Sequence, residues 1–475
     1  MKHIKAKIYL VVITITLLIP LLGLLFLPRA DMATDHELHM ELAPPPQWEI
    51  DGVFNYNFLY DAGSYFEDQY FLRPQLITLN SIMRRNVIRA SGVENVIQGA
   101  SDWLFFADTL DDYFGEHLFS EREIFAVAHN LKMMQDYVEA RGGRFLVVVA
   151  PNKNTVYASY MPFYLLKGAE SNLTNLNRHL DEMGVSYVDL IPVLQGNERQ
   201  VYFQRDTHWN AWGAMLADRA IHTYFGIPHV DFERVSYTTA ENHSGDLEEM
   251  VHPSAFGLRP DRDYYFDPAI FTYSYVTALE NHMDPWIETH NPAGQGTMLM
   301  FRDSFGINLI PFTANALERG YFSRLVPYNL SQVDFYQPDF VVVQRAERQM
   351  ATFAVSAAIM QPPMVQIAAG ELVETDTTIT VRREGDWLNI FGRVDGDFMS
   401  LDTAIYVTVS GETMGEMTFP AFYLLTQTGD GDGYQVYLQM NMMLDETVIV
   451  SVTVEQDGVF QRVVQYTYIV EDASS

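Results

Sequence analysis

The segment Gly142-Gly-Arg144-Phe-Leu-Val-Val-Val-Ala150 decides the fold class, because a glycine pair is followed at once by a nearly continuous apolar run. Such runs are typical of strands that are buried on both faces of a parallel sheet. Before the glycines, Ser120 with Glu123 three positions later marks the start of a helix that extends to about Arg141. This order of helix, glycine and buried strand predicts an α/β unit.

The same elements recur on both sides of this segment. Helical periodicity spans residues 63–90, and a helix-like segment follows Ser304 and reaches about Arg319. Further helices and buried strands are predicted at residues 176–183, 185–190, 210–224, 297–301 and 338–344. Strands that alternate with helices indicate an α/β domain with a mostly parallel sheet flanked by helices, which we place at 59–362.

The pattern changes after Pro362-Pro363. Short alternating strands, separated by turns rich in glycine and aspartate, fill the next hundred or so residues. They predict a second domain, an all-β sandwich at 370–471, which could bind carbohydrate. Four aromatic residues are available for such binding, although alternation alone places most of them in the core: Tyr406, Phe422, Tyr423 and Tyr434.

The amino-terminal 28 residues predict a membrane anchor. Residues 1–7 are basic, residues 8–28 are almost wholly apolar, and acidic residues follow. About 20 apolar residues can cross a bilayer as a transmembrane helix, and the preceding lysines place the amino terminus inside and the rest of the chain outside the cell membrane. A cleaved signal peptide is the alternative, with small residues around position 30. Residues 29–58, with three consecutive prolines, would form a linker.

Composition excludes several classes of function. The 30 basic and 61 acidic side chains give a net charge of −31, so nucleic acid is not an expected partner. The chain has no cysteine, which rules out disulfides, thiolate metal sites and thiol catalysis. His243 and His252 lack metal-ligand spacing and are expected to be ordinary loop histidines. We predict neither a metal site nor a cofactor.

Two separated motifs contain the parts of a Ser-His-Asp site. Asp206 and His208 lie in a predicted loop just before a helix, and Ser304 follows a buried strand and precedes another helix. A serine hydroxyl is a poor nucleophile unless an imidazole takes its proton, and the imidazole needs a carboxylate to orient it. The backbone N–H groups of Ser304, Phe305 and Gly306 could stabilise an oxyanion. Spacing alone leaves open that Ser304 is only a helix cap.

The flanking residues add a family resemblance. Asp206-Thr-His208-Trp-Asn210-Ala-Trp-Gly213 resembles the carboxy-terminal Asp/His block of SGNH hydrolases, and Arg302-Asp-Ser304-Phe305 resembles their Gly-Asp-Ser block. In most SGNH enzymes the serine block comes first, whereas here it comes last. This inverted order and the Asp-x-His-Trp motif resemble the alginate O-acetyltransferase-like family, whose SGNH domain is circularly permuted. Other stretches agree: residues 66–73, 99–105, 150–157, 245–247 and 347–348.

The resemblance implies an O-acetyltransferase in which Ser304 is acylated, His208 acts as general base and acid, and Asp206 orients His208. The acetyl group would pass to a hydroxyl of an exported polysaccharide, and a membrane-bound O-acyltransferase would supply it. A polysaccharide acetyl-esterase that uses the same triad stays open. So does a non-catalytic glycan-binding scaffold.

Five further side chains are candidates for substrate contact: Arg302, Lys153, Asn154, Tyr157 and Trp209. Lys153 and Tyr157 follow a strand end that would face the site, with loop structure as the alternative. Trp209 adjoins His208 and could offer a sugar platform or simply pack.

One departure from the SGNH pattern concerns the oxyanion hole. The asparagine that usually follows a buried strand is missing from Gln344-Arg-Ala-Glu-Arg348. Backbone donors near Ser304, or the side chain of Arg302 or Asn154, would have to replace it.

Overall fold

The structure, a computed structural model, describes residues 43–50, 52–277, 279, 281, 284–426 and 431–470, with single positions between 7 and 23. Apart from those positions, the predicted anchor at 1–28 lies outside the described residues, as do residues 29–42 of the predicted linker. Within the described ranges, no helix has the length and hydropathy that a bilayer crossing requires.

The elements are numbered in chain order. The helices are α1 (Phe58–Gln69), α2 (Arg73–Ile88), α3 (Leu110–Phe114), α4 (Glu121–Glu139), α5 (Lys153–Val156), α6 (Asn172–Met183), α7 (Ile191–Leu194), α8 (Ala211–Phe225), α9 (Asp246–Val251), α10 (Ile310–Ala316) and α11 (Gln332–Tyr336). The strands of the first 362 residues are β1 (Glu49–Ile50), β2 (Val53–Phe54), β3 (Val96–Gln98), β4 (Leu104–Phe106), β5 (Arg144–Ala150), β6 (Tyr187–Val188), β7 (Tyr237–His243), β8 (Asp261–Phe266), β9 (Ser274–Tyr275), β10 (Trp286–His290), β11 (Thr297–Phe301), β12 (Arg319–Ser323) and β13 (Phe340–Ala346). The later strands are β14 (Glu371–Leu372), β15 (Thr380–Glu384), β16 (Trp387–Arg393), β17 (Ala404–Gly411), β18 (Gly415–Pro420), β19 (Phe422–Leu424), β20 (Gly433–Gln439), β21 (Thr447–Gln456) and β22 (Val459–Ile469).

A seven-stranded sheet in the order β6-β5-β13-β11-β12-β10-β9 forms the centre of the larger domain. The first five of these strands are parallel, and β10 and β9 extend the sheet in antiparallel pairing. Alternate residues of β5 enter two different cores: Leu146 and Val148 pack on the α8 side, while Val147 and Val149 pack on the α4 side. The apolar run at 144–150 is therefore buried on both faces, as its sequence predicts.

Helix α4 begins as expected. Ser120 accepts a hydrogen bond from the N–H of Glu123, and the Glu123 carboxylate accepts one from the N–H of Ser120. This reciprocal capping satisfies two backbone donors that the helix itself cannot pair.

Three predicted elements differ in extent. The periodic segment 63–90 forms two helices, because Leu72 adopts a left-handed conformation with φ 68° between α1 and α2. The segment after Ser304 is helical only to Ala316, and Arg319 starts strand β12. The strand predicted at 185–190 shortens to the two residues of β6, which pair with β5 at the sheet edge.

The carboxy-terminal residues form two sheets packed face to face. One contains β14-β22-β21-β17-β18 and the other β15-β16-β20-β19. Their facing side chains make a separate core, so the predicted β-rich architecture is present. Phe422, Tyr423 and Tyr434 are buried, and Tyr406 bonds Glu455. The first three aromatics are therefore core residues and do not offer a glycan-binding face.

The sandwich packs against helix α4 of the larger domain. The Arg122 guanidinium donates to the carbonyl oxygens of Leu401 and Thr403 at 2.9 and 3.1 Å. The Asn130 side chain donates to the carbonyl oxygen of Tyr423 and accepts from its N–H, at 2.7 and 2.8 Å. Because Arg122 and Asn130 are buried, these bonds fix the two parts of the chain to each other.

Candidate active site

Ser304 lies in the loop that follows β11, at the carboxyl end of the parallel strands. This is the edge at which open α/β sheets place ligands. The Asp303 carboxylate accepts the N–H of Phe305 at 2.9 Å and the N–H of Ala346 at 2.6 Å. These bonds tie the Ser304 loop to the end of β13. Gly306 is required here, since a Cβ would lie 2.5 Å from the Cβ of Arg302.

His208 and Asp206 lie in the loop before α8. Asn210 caps that helix by accepting the N–H of Gly213 at 3.0 Å. The loop is held from the other side by Lys153, whose buried ammonium donates to the carbonyl oxygens of Phe203, Gln204 and Asp206 at 3.3, 3.2 and 2.6 Å.

The three predicted triad residues meet. The His208 Nε2 atom lies 2.8 Å from the Ser304 hydroxyl, and its Nδ1 atom lies 2.7 Å from Asp206 Oδ1. Both distances are hydrogen-bond distances. A carboxylate, an imidazole and a hydroxyl in this order can withdraw the serine proton and stabilise the imidazolium that forms. Ser304 and His208 are only half-buried, so solvent or a substrate reaches them.

The charges of the site are coupled. Burial alone would raise the pKa of the Asp206 carboxyl, but His208 and His243 outweigh it and hold this pKa well below its usual range. Burial would lower the pKa of His208, and the Asp206 charge and hydrogen bond raise it instead. Asp206 is therefore an anion that favours the protonated form of His208.

His243 was predicted to be an ordinary loop histidine, and the structure corrects this. It ends strand β7, stacks on Phe203 with ring centroids 3.7 Å apart, and places Nε2 at 2.8 Å from Asp206 Oδ2. Each oxygen of the Asp206 carboxylate therefore lies at hydrogen-bond distance from one histidine. Only the position of His243, two residues before the Gly245-Asp-Leu247 stretch, hinted at this role.

Asp246 is a second residue that sequence reasoning did not single out. Its carboxylate accepts the N–H of Thr207 at 2.7 Å, and its other oxygen lies 3.6 Å from His208 Nδ1. Asp206, His208 and Asp246 place ligand atoms within 4.8 Å of one another, a spacing that could hold a metal ion. The hydrogen bonds of the triad account for the same closeness.

Four of the predicted substrate contacts are bonded inside the protein. Lys153 holds the Asp206 loop, and the Tyr157 hydroxyl accepts the N–H of Val201 at 2.9 Å. Trp209 is fully buried and donates to the carbonyl oxygen of Phe305 at 3.0 Å, so its ring is no sugar platform. Arg302 is also fully buried, and it donates to the carbonyl oxygens of Asp303 and Asp284 at 3.2 and 3.1 Å.

Asn154, the fifth predicted contact, lines a small cavity beside the triad. The same cavity is lined by Phe105, Phe106, Thr109, Asn152, Lys153, Thr207 and Arg348. Asn154 Oδ1 and both side-chain polar atoms of Asn152 are buried without a hydrogen-bond partner among the described residues. Buried polar atoms normally find partners, so these three atoms are available to a bound molecule.

Backbone donors near Ser304 are partly available. The Phe305 N–H is taken by Asp303, which corrects the expectation that it points at an oxyanion. Within the described residues, the N–H groups of Ser304 and Gly306 donate to no protein acceptor. Arg348 adds positive charge nearby, with its guanidinium carbon 5.3 Å from the centre of the Phe305 ring.

Comparison with known proteins agrees with the motifs. The family model described as the SGNH hydrolase-like domain of acetyltransferase AlgX matches residues 96–268. Residues 96–268 of the chain are therefore similar to the SGNH hydrolase-like domain of this acetyltransferase family. The matched range contains Asp206, His208 and His243, and Ser304 follows it. A search of curated proteins found no match.

Three solved structures resemble the chain at low identity. The O-acetyltransferase domain of Pseudomonas putida AlgJ is 17% identical over 54% of this chain and 92% of that one, with a TM-score of 0.38. Bacillus cereus PatB1 with a sulfonyl adduct is 15% identical over 54% of this chain and 97% of that one, with a TM-score of 0.43. Pseudomonas aeruginosa AlgX is 14% identical over 72% of this chain and 86% of that one, with a TM-score of 0.34.

Proposed function

We propose that the protein is an O-acetyltransferase that moves an acetyl group through Ser304 to a hydroxyl of an exported polysaccharide. The observation that supports this most directly is the unbroken hydrogen-bond chain from Asp206 through His208 to Ser304. The match of residues 96–268 to the domain model of an acetyltransferase family supports the choice of acyl group.

The first half-reaction acylates the serine. Ser304 Oγ attacks the carbonyl carbon of an acetyl ester while His208 Nε2 takes the hydroxyl proton. The resulting oxyanion would be stabilised by the N–H groups of Ser304 and Gly306, which replace the missing asparagine of the SGNH pattern. His208 then gives its proton to the leaving alkoxide, and acetyl-Ser304 remains.

The second half-reaction releases the acetyl group to the acceptor. A sugar hydroxyl attacks acetyl-Ser304 while His208 Nε2 takes its proton. Collapse of the oxyanion expels Ser304 Oγ, which recovers the proton from His208. Asp206 orients the imidazole and stabilises its charged form in both halves. The cavity lined by Asn152, Asn154 and Arg348 provides polar groups for the acetyl donor or the sugar.

The donor and the location follow from the same proposal. Basic residues 1–7 and apolar residues 8–28 support a single membrane anchor with the catalytic domain outside the cell membrane. A membrane-bound O-acyltransferase would then supply the acetyl group at the membrane.

Hydrolysis is a second candidate, and the partial exposure of His208 favours it. The His208 side chain is 20% exposed, so water can compete with a sugar hydroxyl for acetyl-Ser304. An acetyl-esterase would use the same three residues and differ only in the acceptor.

The test uses the purified protein with 4-nitrophenyl acetate, with and without an acceptor glycan. Acetylated glycan that disappears in Ser304→Ala is the expected result. Release of acetate without formation of acetylated glycan would indicate an esterase and not a transferase. Equal rates for Ser304→Ala and the unchanged protein, in both acetate release and transfer, would contradict catalysis and leave a glycan-binding scaffold.

A further inference from the structure

Helix α2 (Arg73–Ile88) has its apolar face exposed and its polar face buried, which is the reverse of an ordinary surface helix. Leu76, Leu79, Met83 and Val87 are 43, 53, 54 and 80% exposed. Their spacing of three and four residues places them in one stripe along the helix. The face toward the protein contains Thr78 and Ser81, which are buried, and the Thr78 hydroxyl accepts from the Ser254 hydroxyl at 2.9 Å. The apolar face of α2 is therefore the one that no described residue covers.

The segment before α2 adds exposed aromatic side chains. Trp48, Phe54, Tyr56 and Tyr60 are exposed in and around the β1–β2 hairpin and the start of α1. Trp48 packs edge-on against Phe54 with ring centroids 5.0 Å apart. Tryptophan and tyrosine are enriched where a membrane meets water, because their rings are apolar on one side and polar on the other.

The charge of α2 and of the residues on either side of it is opposite to that of the whole chain. Residues 69–93 contain four arginines and no acidic residue, in a protein of net charge −31. Within the described part of the chain, no carboxylate forms an ion pair with Arg84, Arg85 or Arg89. A helix with arginines and an exposed apolar stripe fits the headgroup region of an anionic bilayer. The remaining acidic surface would be repelled from the same bilayer.

The chain places this region close to the predicted anchor. Trp48 follows the end of the apolar segment 8–28 by only 20 residues, which reach at most about 70 Å when fully extended. On its inner side, α2 packs against α9 and the following loop. Helix α9 starts at Asp246, whose carboxylate accepts from Thr207 in the triad loop.

We propose that this region is a membrane-docking surface, which lies in the headgroup layer of an anionic bilayer and holds the candidate active site beside it. The surface consists of Trp48, Phe54, Tyr60, Leu76, Leu79, Met83 and Val87, with Arg84 and Arg89. The lipid contact is independent of the chemistry at Ser304, so it stands or falls separately from the proposed acetyl transfer.

The test uses a chain of residues 43–475, so that the apolar segment 8–28 cannot cause binding by itself. The hydrophobic cores of the described chain are built from residue 93 onward, and this chain keeps all of them. Its sedimentation is measured with phosphatidylcholine vesicles that contain or lack phosphatidylglycerol. We expect binding to the phosphatidylglycerol vesicles only.

Matched variants locate the contact. Leu79→Glu with Met83→Glu should weaken vesicle binding at least tenfold, because each side chain would lose its apolar burial. Arg84→Glu with Arg89→Glu should abolish the preference for phosphatidylglycerol. Leu444→Glu with Ile469→Glu makes the same change at exposed apolar positions of the sandwich and should bind like the unchanged chain.

Three results would overturn the proposal. The first is no binding of the 43–475 chain to either vesicle, and the second is equal loss of binding in the sandwich control. The third concerns a protein partner. If the 43–475 chain is a dimer by light scattering and the variant with Leu79→Glu and Met83→Glu is a monomer, the apolar stripe is an interface with a second copy of the chain.

Discussion

His243 offers the sharpest test of the active-site electrostatics. Its Nε2 atom lies 2.8 Å from Asp206 Oδ2, while His208 Nδ1 uses the other oxygen. Burial would lower the pKa of His243, and the hydrogen bond and charge of Asp206 raise it. His243 thus supplies both a donor and positive charge to the carboxylate that orients His208, and two substitutions separate these contributions.

His243→Phe keeps the stacking on Phe203 and removes the donor. A hydrogen bond to a charged group contributes about 1.5–3 kcal/mol. Loss of that bond leaves Asp206 Oδ2 without its histidine partner and loosens the carboxylate that holds His208. We expect kcat/KM for an acetyl ester to fall by about ten- to a hundredfold if this contribution is realised in the transition state.

His243→Gln keeps a donor and removes the charge. Asp206 then acts on His208 without competition, so the pKa of His208 rises further. His208 is a base only when neutral. The acidic limb of the pH profile should therefore move to higher pH, while kcat/KM on the plateau stays within a few fold of the unchanged protein.

The control is His229→Gln, at an exposed histidine whose Nδ1 atom lies 2.9 Å from the carbonyl oxygen of Ile227. It should leave both the plateau and the acidic limb in place. Unchanged kcat/KM in His243→Phe, together with an unmoved limb in His243→Gln, would refute the coupling between His243 and the triad.

Three further predictions address the surroundings of the site. Lys153→Met should lower both the melting temperature and kcat/KM, because three carbonyl oxygens of the Asp206 loop lose their shared donor. Thermal unfolding and esterase assays measure these two effects. An unchanged kcat/KM would contradict the prediction. Gly306→Ala should reduce kcat/KM sharply with KM little affected, since the new Cβ would lie 2.5 Å from the Cβ of Arg302 and displace Ser304. Burial, with Asp112 adding to it, raises the pKa of Glu347 to about 8. Its folded-state pKa lies above the unfolded value, so the protein should lose stability as pH rises from about 5 to 8, and Glu347→Gln should flatten that loss in denaturant titrations at several pH values.

Local sequence was sufficient for most of the elements. The apolar run at 144–150 is a strand buried on both faces, and the capping pair Ser120 and Glu123 starts a helix as expected. Strand β12 escaped prediction because Arg319-Gly-Tyr-Phe-Ser323 is short and contains a glycine, and its pairing with β10 and β11 comes from distant residues.

The residues of the candidate site likewise include some that the sequence identified and some whose role it did not show. Asp206, His208 and Ser304 could be named because their residue types and motif order match the pattern of a Ser-His-Asp site. Lys153, Tyr157, Trp209 and Arg302 were expected at the substrate, but their polar groups bond the protein itself. Position near a motif does not tell whether a side chain points into a cleft or into the loop behind it.

The sequence by itself determined the α/β and β-rich parts, the acidic character and the candidate triad, because periodicity, composition and motif order can be read directly from the residues. Only the tertiary structure brought His243 onto Asp206 and turned the apolar stripe of α2 outward. Both depend on contacts between residues far apart in the chain, as when the polar face of α2 meets Ser254. A periodic pattern shows that a helix has an apolar side, whereas the packing of its neighbours decides which side is covered.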